Sequence, residues 1–192
     1  MKKILFLLLA FTMLLVMVTK STFGYFSDSE ASTGSRFTAW EIATVTLLND
    51  GFEVDPWDSN WDDNGTTNWG RKAYPHSGSY AAECKKNTNG YLTSDSLDAS
   101  EATSITVSFW FQPDGLDTGD ILVQLYNGST YDTLYDLIEY PTFQDKEWCY
   151  FSEEITDSKY FNSDFRLRFD GSALVDSKET GHIDDVLITM EQ

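Results

Sequence analysis

The chain has 192 residues, enough for one ordinary domain preceded by a short export segment. Its formal net charge of −18 at pH 7 and its sequence pI of about 4.2 disfavour nucleic acid and anionic lipid as partners, because both are bound by neutralising phosphates. Aromatic residues make up 15% of the chain, too many for a disordered polyelectrolyte.

Residues 1–24 read as a signal peptide. Lys2 and Lys3 supply the positive start, and Ile4 to Val18 is an apolar run shorter than the ~20 residues a membrane span needs. Thr22 and Gly24 are the small residues for a cut before Tyr25 by a signal peptidase. The expectation is an exported protein, extracellular or at the cell surface, with no stable membrane span. Residues 25–45 are polar and Ser/Thr-rich, an extended arm or linker that could add a strand to a neighbouring copy and so drive self-assembly. Thr44 to Leu48 is a candidate first strand, and residues 46–192 form the expected domain.

Asn49-Asp50-Gly51 is a turn signal, and Phe52-Glu53-Val54 opens the domain. Residues 55–76 are rich in Asp, Asn, Gly and Pro, which reads as a loop. Trp57, Trp61 and Trp69 lie inside it. They either plug the open end of a sandwich or form an aromatic platform for a sugar ring. The aspartates of this stretch lack the spacing of an EF-hand.

From Ser79 onward, strands are expected at Ser79–Lys85, Gly90–Ser96, Ser104–Gln112, Asp120–Tyr126, Tyr131–Tyr140, Glu147–Ile155, Asp164–Asp170 and His182–Met190. The period is two. Ile105, Val107, Phe109 and Phe111 share one face, as do Ile121, Val123 and Leu125, and Phe165, Leu167 and Phe169. Such alternation means half-buried antiparallel strands, and many of them at short spacing mean an all-β sandwich or barrel. One helical turn fits Asp157–Phe161. The other faces carry Trp110, Gln124, Tyr126, Arg166 and Arg168, candidate ligand-binding residues if the strands stand side by side. The plainer alternative for each is packing against its cross-strand neighbour.

Cys84 and Cys149 are an even count in an exported chain and both point inward, which suggests a disulfide worth ~4 kcal/mol. Two buried free thiols fit the same pattern. Asp184 and Asp185 stand together in the last strand, where neither burial nor β-propensity asks for them. With Glu53 from the start of the domain they could ligate a hard cation such as Ca²⁺, or they are solvated acids of an acidic protein. No Ser-His-Asp set, zinc spacing, phosphate loop or glycosidase carboxylate signature is recognisable, and Glu147, Glu153 and Glu154 are wrongly spaced for the last. No enzymatic activity is expected.

Two resemblances add to this reading. The segment Gly24-Tyr25-Phe26-Ser27-Asp28-Ser29-Glu30, running on to Gly34 and Phe37-Thr38-Ala39, resembles the TasA/camelysin-type leaders cut by SipW-class signal peptidases. It departs at Arg36 and Trp40 and covers only about the first 40 residues. Separately, Gly51-Phe52-Glu53, His76-Ser77-Gly78-Ser79-Tyr80, Thr106 to Phe111, Phe165 to Phe169 and Ile183-Asp184-Asp185-Val186 follow the order seen in jelly-roll β-sandwich domains typified by carbohydrate-binding modules, with MAM and laminin-G-like domains as more distant relatives. That resemblance implies a secreted, non-catalytic module binding a glycan. It also implies a structural calcium ion held by Glu53, by Asp184 or Asp185, and by backbone at Ser77 and Ser79. The alternatives are a structural subunit of an extracellular matrix or filament, or a protein-binding domain.

Overall fold

The computed structural model describes residues 42–54, 60–63, 69–86 and 90–192. The expected signal peptide, most of the 25–45 arm and Trp57 lie outside the described residues. The chain groups into Met1–Trp40 and Glu41–Gln192, and the sandwich belongs to the second unit.

Eleven strands are described: β1 Thr44–Asp50, β2 Trp61–Asp62, β3 Trp69–Lys72, β4 Ala81–Lys85, β5 Tyr91–Ser94, β6 Ser104–Asp114, β7 Leu122–Tyr126, β8 Tyr131–Asp136, β9 Cys149–Ile155, β10 Leu167–Asp170 and β11 Thr180–Glu191. All described pairings are antiparallel. One sheet runs β3-β4-β11-β6-β9, with β1 also on β11; the other runs β2-β5-β10-β7-β8. This is the expected all-β antiparallel sandwich.

The period-two pattern places the core. Ile105, Val107, Phe109, Phe111, Ile121, Val123, Leu125, Phe165, Leu167 and Phe169 are all buried between the sheets. Phe109 stacks on Phe151 at 4.5 Å and meets Phe169 edge-on at 4.9 Å, which joins one sheet to the other. Each buried ring contributes ~1.5–3 kcal/mol of transfer free energy. Because these inward side chains fix the register, the alternate residues of β7 and β10 must face out. The helical turn expected near Asp157 is a 3₁₀ turn, Ser158–Tyr160, capped by Asp157 accepting from the Lys159 N–H at 3.1 Å. The strand expected to reach Tyr140 stops at Asp136, whose side chain caps a second 3₁₀ turn, Leu137–Glu139.

The loop expected over 55–76 contains β2 and β3, and this corrects the reading of Trp61 and Trp69 as ligand-binding. Both indoles face inward, 1% and 3% exposed. Trp61 lies 5.4 Å from the Phe52 ring and stacks on Phe169 at 6.0 Å; Trp69 lies 6.1 Å from Phe169 on another side. The rings close the end of the core, where their area is worth more than on a solvated loop.

The expected disulfide is also corrected. Cys84 and Cys149 are free and buried. Both do point inward, but Cys84 is on β4 and Cys149 on β9, with β11 and β6 between them. Three inter-strand steps amount to ~14 Å, well beyond the ~7 Å Cα separation a bridge tolerates. Burial pushes the Cys84 thiol up to about 12, so it is unreactive in the folded state. Thiol titration should therefore find two free thiols per chain after non-reducing denaturation and almost none in the native protein. A bridged pair in the denatured sample contradicts the strand order.

Candidate functional site

Asp184 and Asp185 stand where β11 changes partners. One edge of β11 is covered by β6 throughout, while the other is paired with β4 along Thr180–Ile183 and with β1 along Val186–Glu191. The aspartates fill the gap between β4 and β1. The β6 register slips between Asp184 and Leu187, and Asp185 takes a left-handed backbone with φ 50°, which aspartate tolerates better than most residues.

The gap is closed by side chains. Asp184 is fully buried; its Oδ2 accepts from the His76 and Ser77 N–H groups at 2.8 and 3.0 Å, and its Oδ1 from the Asp185 N–H at 2.8 Å. Asp185 bonds His76 Nδ1 and accepts from Ser77 Oγ, at 2.8 and 2.7 Å. Glu53 Oε1 accepts from the Ser79 and Tyr80 N–H groups at 2.8 and 3.0 Å. Gly78 turns with φ 65°, and a Cβ there would lie 2.8 Å from the Glu53 carboxyl carbon. Carboxylates thus complete the hydrogen bonding of the turn that feeds β4. Nearby Arg71 donates to the carbonyls of Phe52 and Glu53.

The residues expected to hold calcium, Glu53, Ser77, Ser79, Asp184 and Asp185, therefore converge. Their geometry is that of a hydrogen-bonded clasp, in which the carboxylate oxygens accept N–H and O–H donors from the turn. Among the described residues no group of three or more His, Cys, Asp or Glu is placed to hold a metal ion. Trp110 belongs here too, which corrects its assignment to the ligand patch. It faces out from the larger sheet and stacks on His76 at 3.9 Å, with Tyr150 5.2 Å away.

The other four candidates come together on the outer face of the smaller sheet. Register partners share a face. One row crosses Thr93, Arg168, Gln124 and Thr133. A second crosses Tyr91, Asp170 and Leu122. In a third, Arg166 meets Tyr126, which pairs with Tyr131. The Arg168 guanidinium sits 3.4 Å from the Tyr131 ring centroid and 4.5 Å from that of Tyr91, and its Nε donates to Thr93 Oγ1 at 3.1 Å. Tyr126 and Tyr131 are 5.0 Å apart. Gln124 donates to Asp170 at 3.3 Å, and Arg166 donates twice to Asp164 Oδ1. Tyr91, Arg168 and Tyr131 are each partly exposed. The assembly offers aromatic rings held in place by a cation and polar groups beside them.

Tyr91 and Tyr131 are the site residues that the sequence reading missed. A signal was present: Tyr126-Asn127-Gly128-Ser129-Thr130-Tyr131 is a tight hairpin with a tyrosine at each foot, and Tyr91 alternates with buried Leu92.

No family model and no curated protein sequence matches the chain. Solved structures do resemble it. The CBM22-1 xylan-binding domain of Xyn10C from Paenibacillus barcinonensis superimposes with a TM-score of 0.54 at 16% identity, covering 78% of this chain and 97% of that one. The K3 cleaved adhesin domain of Lys-gingipain from Porphyromonas gingivalis gives 0.56 at 17% identity, covering 77% and 99%. At such identities the likeness establishes the fold, a β-sandwich of the kind found in carbohydrate-binding modules.

The clasp acids respond to pH in opposite senses. The backbone hydrogen bonds from Ser79 and Tyr80 hold Glu53 below the usual carboxylate range. Burial pushes Asp184 above it, despite its own N–H donors. A lowered folded-state value means stability that is present above the unfolded-state value and lost as pH falls through the folded one. Asp184 works the other way, its ionised form being the less favourable in the folded state. The melting temperature of Glu53→Gln should therefore fall below wild type at pH 7, and the gap should close in acid once Glu53 is protonated. A gap that is constant from pH 7 to pH 3 contradicts the charged clasp.

Proposed function

We propose that this protein is an exported, non-catalytic carbohydrate-binding module whose ligand lies across the outer face of the smaller sheet. The observation that carries the reading is Arg168 held between Tyr91 and Tyr131. Sugars are recognised by aromatic rings against their C–H faces and by polar groups at their hydroxyls. Here Arg168 fixes the rings through cation–π contacts worth ~0.5–2 kcal/mol. Gln124, Asp170 and Thr133 supply donors and acceptors within the same rows. Preorganised rings lose little freedom on binding, which favours affinity. An exposed sheet face suits the interior of an extended chain, and the structural neighbour named for xylan binding supports a polysaccharide.

Calcium belongs to this reading as a proposal. It is supported by the convergence of Glu53, Asp184 and Asp185 on one turn of a chain with net charge −18. Bound there, calcium would draw on carboxylate oxygens that now accept N–H and O–H donors. Added calcium should raise the melting temperature and EGTA should reverse the rise. An unchanged melting temperature means that hydrogen bonds alone fasten the turn.

The binding test is affinity electrophoresis through gels containing soluble polysaccharides, xylan among them. A retarding glycan should be found, and Tyr131→Ala or Arg168→Ala should weaken retention at least tenfold, about 1.4 kcal/mol. Both side chains are partly exposed, so the variants should fold. Retention unchanged in both variants contradicts the placement of the site.

A further inference from the structure

The opposite sheet has a feature that this reading does not use. A cavity of about 450 Å³ opens on its outer face. Its floor is a row of register partners on three adjacent strands, Glu83 of β4, His182 of β11 and Gln112 of β6. Tyr74 forms a wall, 54% exposed, with its ring 5.0 Å from the His182 imidazole. Asp114 and Lys146 stand at the rim.

The lining is built. Gln112 is 7% exposed, and its Nε2 donates to the Lys146 carbonyl at 3.1 Å and to the Tyr74 hydroxyl at 3.4 Å. That leaves the amide oxygen as an acceptor for a ligand. His182 is 8% exposed; its Nε2 lies 3.4 Å from Glu83, and its Nδ1 is enclosed with no hydrogen-bond partner among the described residues. Burial holds His182 below the ordinary histidine range, so the floor carries a neutral imidazole at pH 7. Both acids are already paired, Glu83 with Lys85 at 2.9 Å and Asp114 with Lys146 at 3.5 Å.

We infer that this cavity is a second ligand site, for a neutral polyhydroxylated molecule the size of one or two sugar rings. The volume falls within the ~300–1,000 Å³ of small-molecule sites. A half-exposed tyrosine beside amide, hydroxyl and paired charged groups suits C–H faces and hydroxyls together. The paired acids leave no free charge to select an ionic ligand. A half-open cavity of this size admits a short sugar, whereas the Tyr91–Tyr131 face is open along its length. The two sites lie on different sheets and bind independently.

The chain has two histidines, His76 in the clasp and His182 in the cavity, so the His182 imidazole NMR signals are readily told apart and report the cavity directly. Titration with the neutral disaccharides xylobiose, cellobiose and lactose should shift the His182 signals saturably for at least one of them. Tyr74→Ala should weaken that sugar at least fivefold, and Tyr131→Ala should leave its affinity unchanged. Tyr74 is largely exposed, so its replacement tests the site without endangering the core. The proposal is overturned if no sugar gives a saturable His182 shift up to ~50 mM, well beyond a millimolar Kd. It is equally overturned if the shift disappears in Tyr131→Ala. Loss of polysaccharide retention with the His182 shift intact removes only the first site; the reverse removes only this one.

Discussion

The Asp184 carboxylate accepting the His76 and Ser77 N–H groups is the contact on which the larger sheet depends. β11 is its longest strand and pairs with three others, yet one edge has a break where β4 ends and β1 begins. Unpaired backbone donors at such a break cost ~1–3 kcal/mol each when buried. The protein meets them with carboxylates instead of a continuous strand. Asp184 and Asp185 hold the first half of the His76–Tyr80 turn, and Glu53 holds the second. The chain just after β1, the turn before β4 and the middle of β11 are thereby joined at one point. Phe52 is part of the same joint. It takes φ 58°, an uncomfortable conformation for a bulky residue, and is buried to 1% against Trp61.

The two sheets divide the work. The larger one fastens the termini of the sandwich. The smaller one presents a surface, and what it presents follows from what it buries. Phe165, Leu167 and Phe169 are fully buried, so Arg166, Arg168 and Asp170 have no choice but to face out. Phe109 carries the constraint between sheets by packing on both Phe151 and Phe169. Arg168 then orders the tyrosines on either side of it. The core thus sets the positions of the rings without touching them.

What was legible in the sequence was the strand alternation, and with it the fold and the outward set Gln124, Tyr126, Arg166 and Arg168. The convergence of Glu53, Ser77, Ser79, Asp184 and Asp185 was legible through family resemblance. That the three carboxylates accept hydrogen bonds from the turn was not, because strand register decides which backbone groups lack partners. For Trp61 and Trp69 the sequence left a core plug and a sugar platform both open, and the plug is the outcome; β2 and β3, of two and four residues, are too short to display the period that would have decided it. The inward direction of Cys84 and Cys149 was correct, but their lateral separation depends on strand order, which is a non-local property. Trp110 was placed with the wrong neighbours for the same reason. A face can be read along a strand, but the sheet it belongs to cannot.

The most direct test of the central claim is chemical-shift mapping of the protein with the glycan that retards it most in gels. The side-chain Nε–H of Arg168 and the ring signals of Tyr91 and Tyr131 should move together and saturably, with the clasp residues Ser77, Ser79 and Asp184 undisturbed. Shifts gathered at the clasp or spread over the surface, with the Arg168 signal unmoved, contradict a binding face on the smaller sheet.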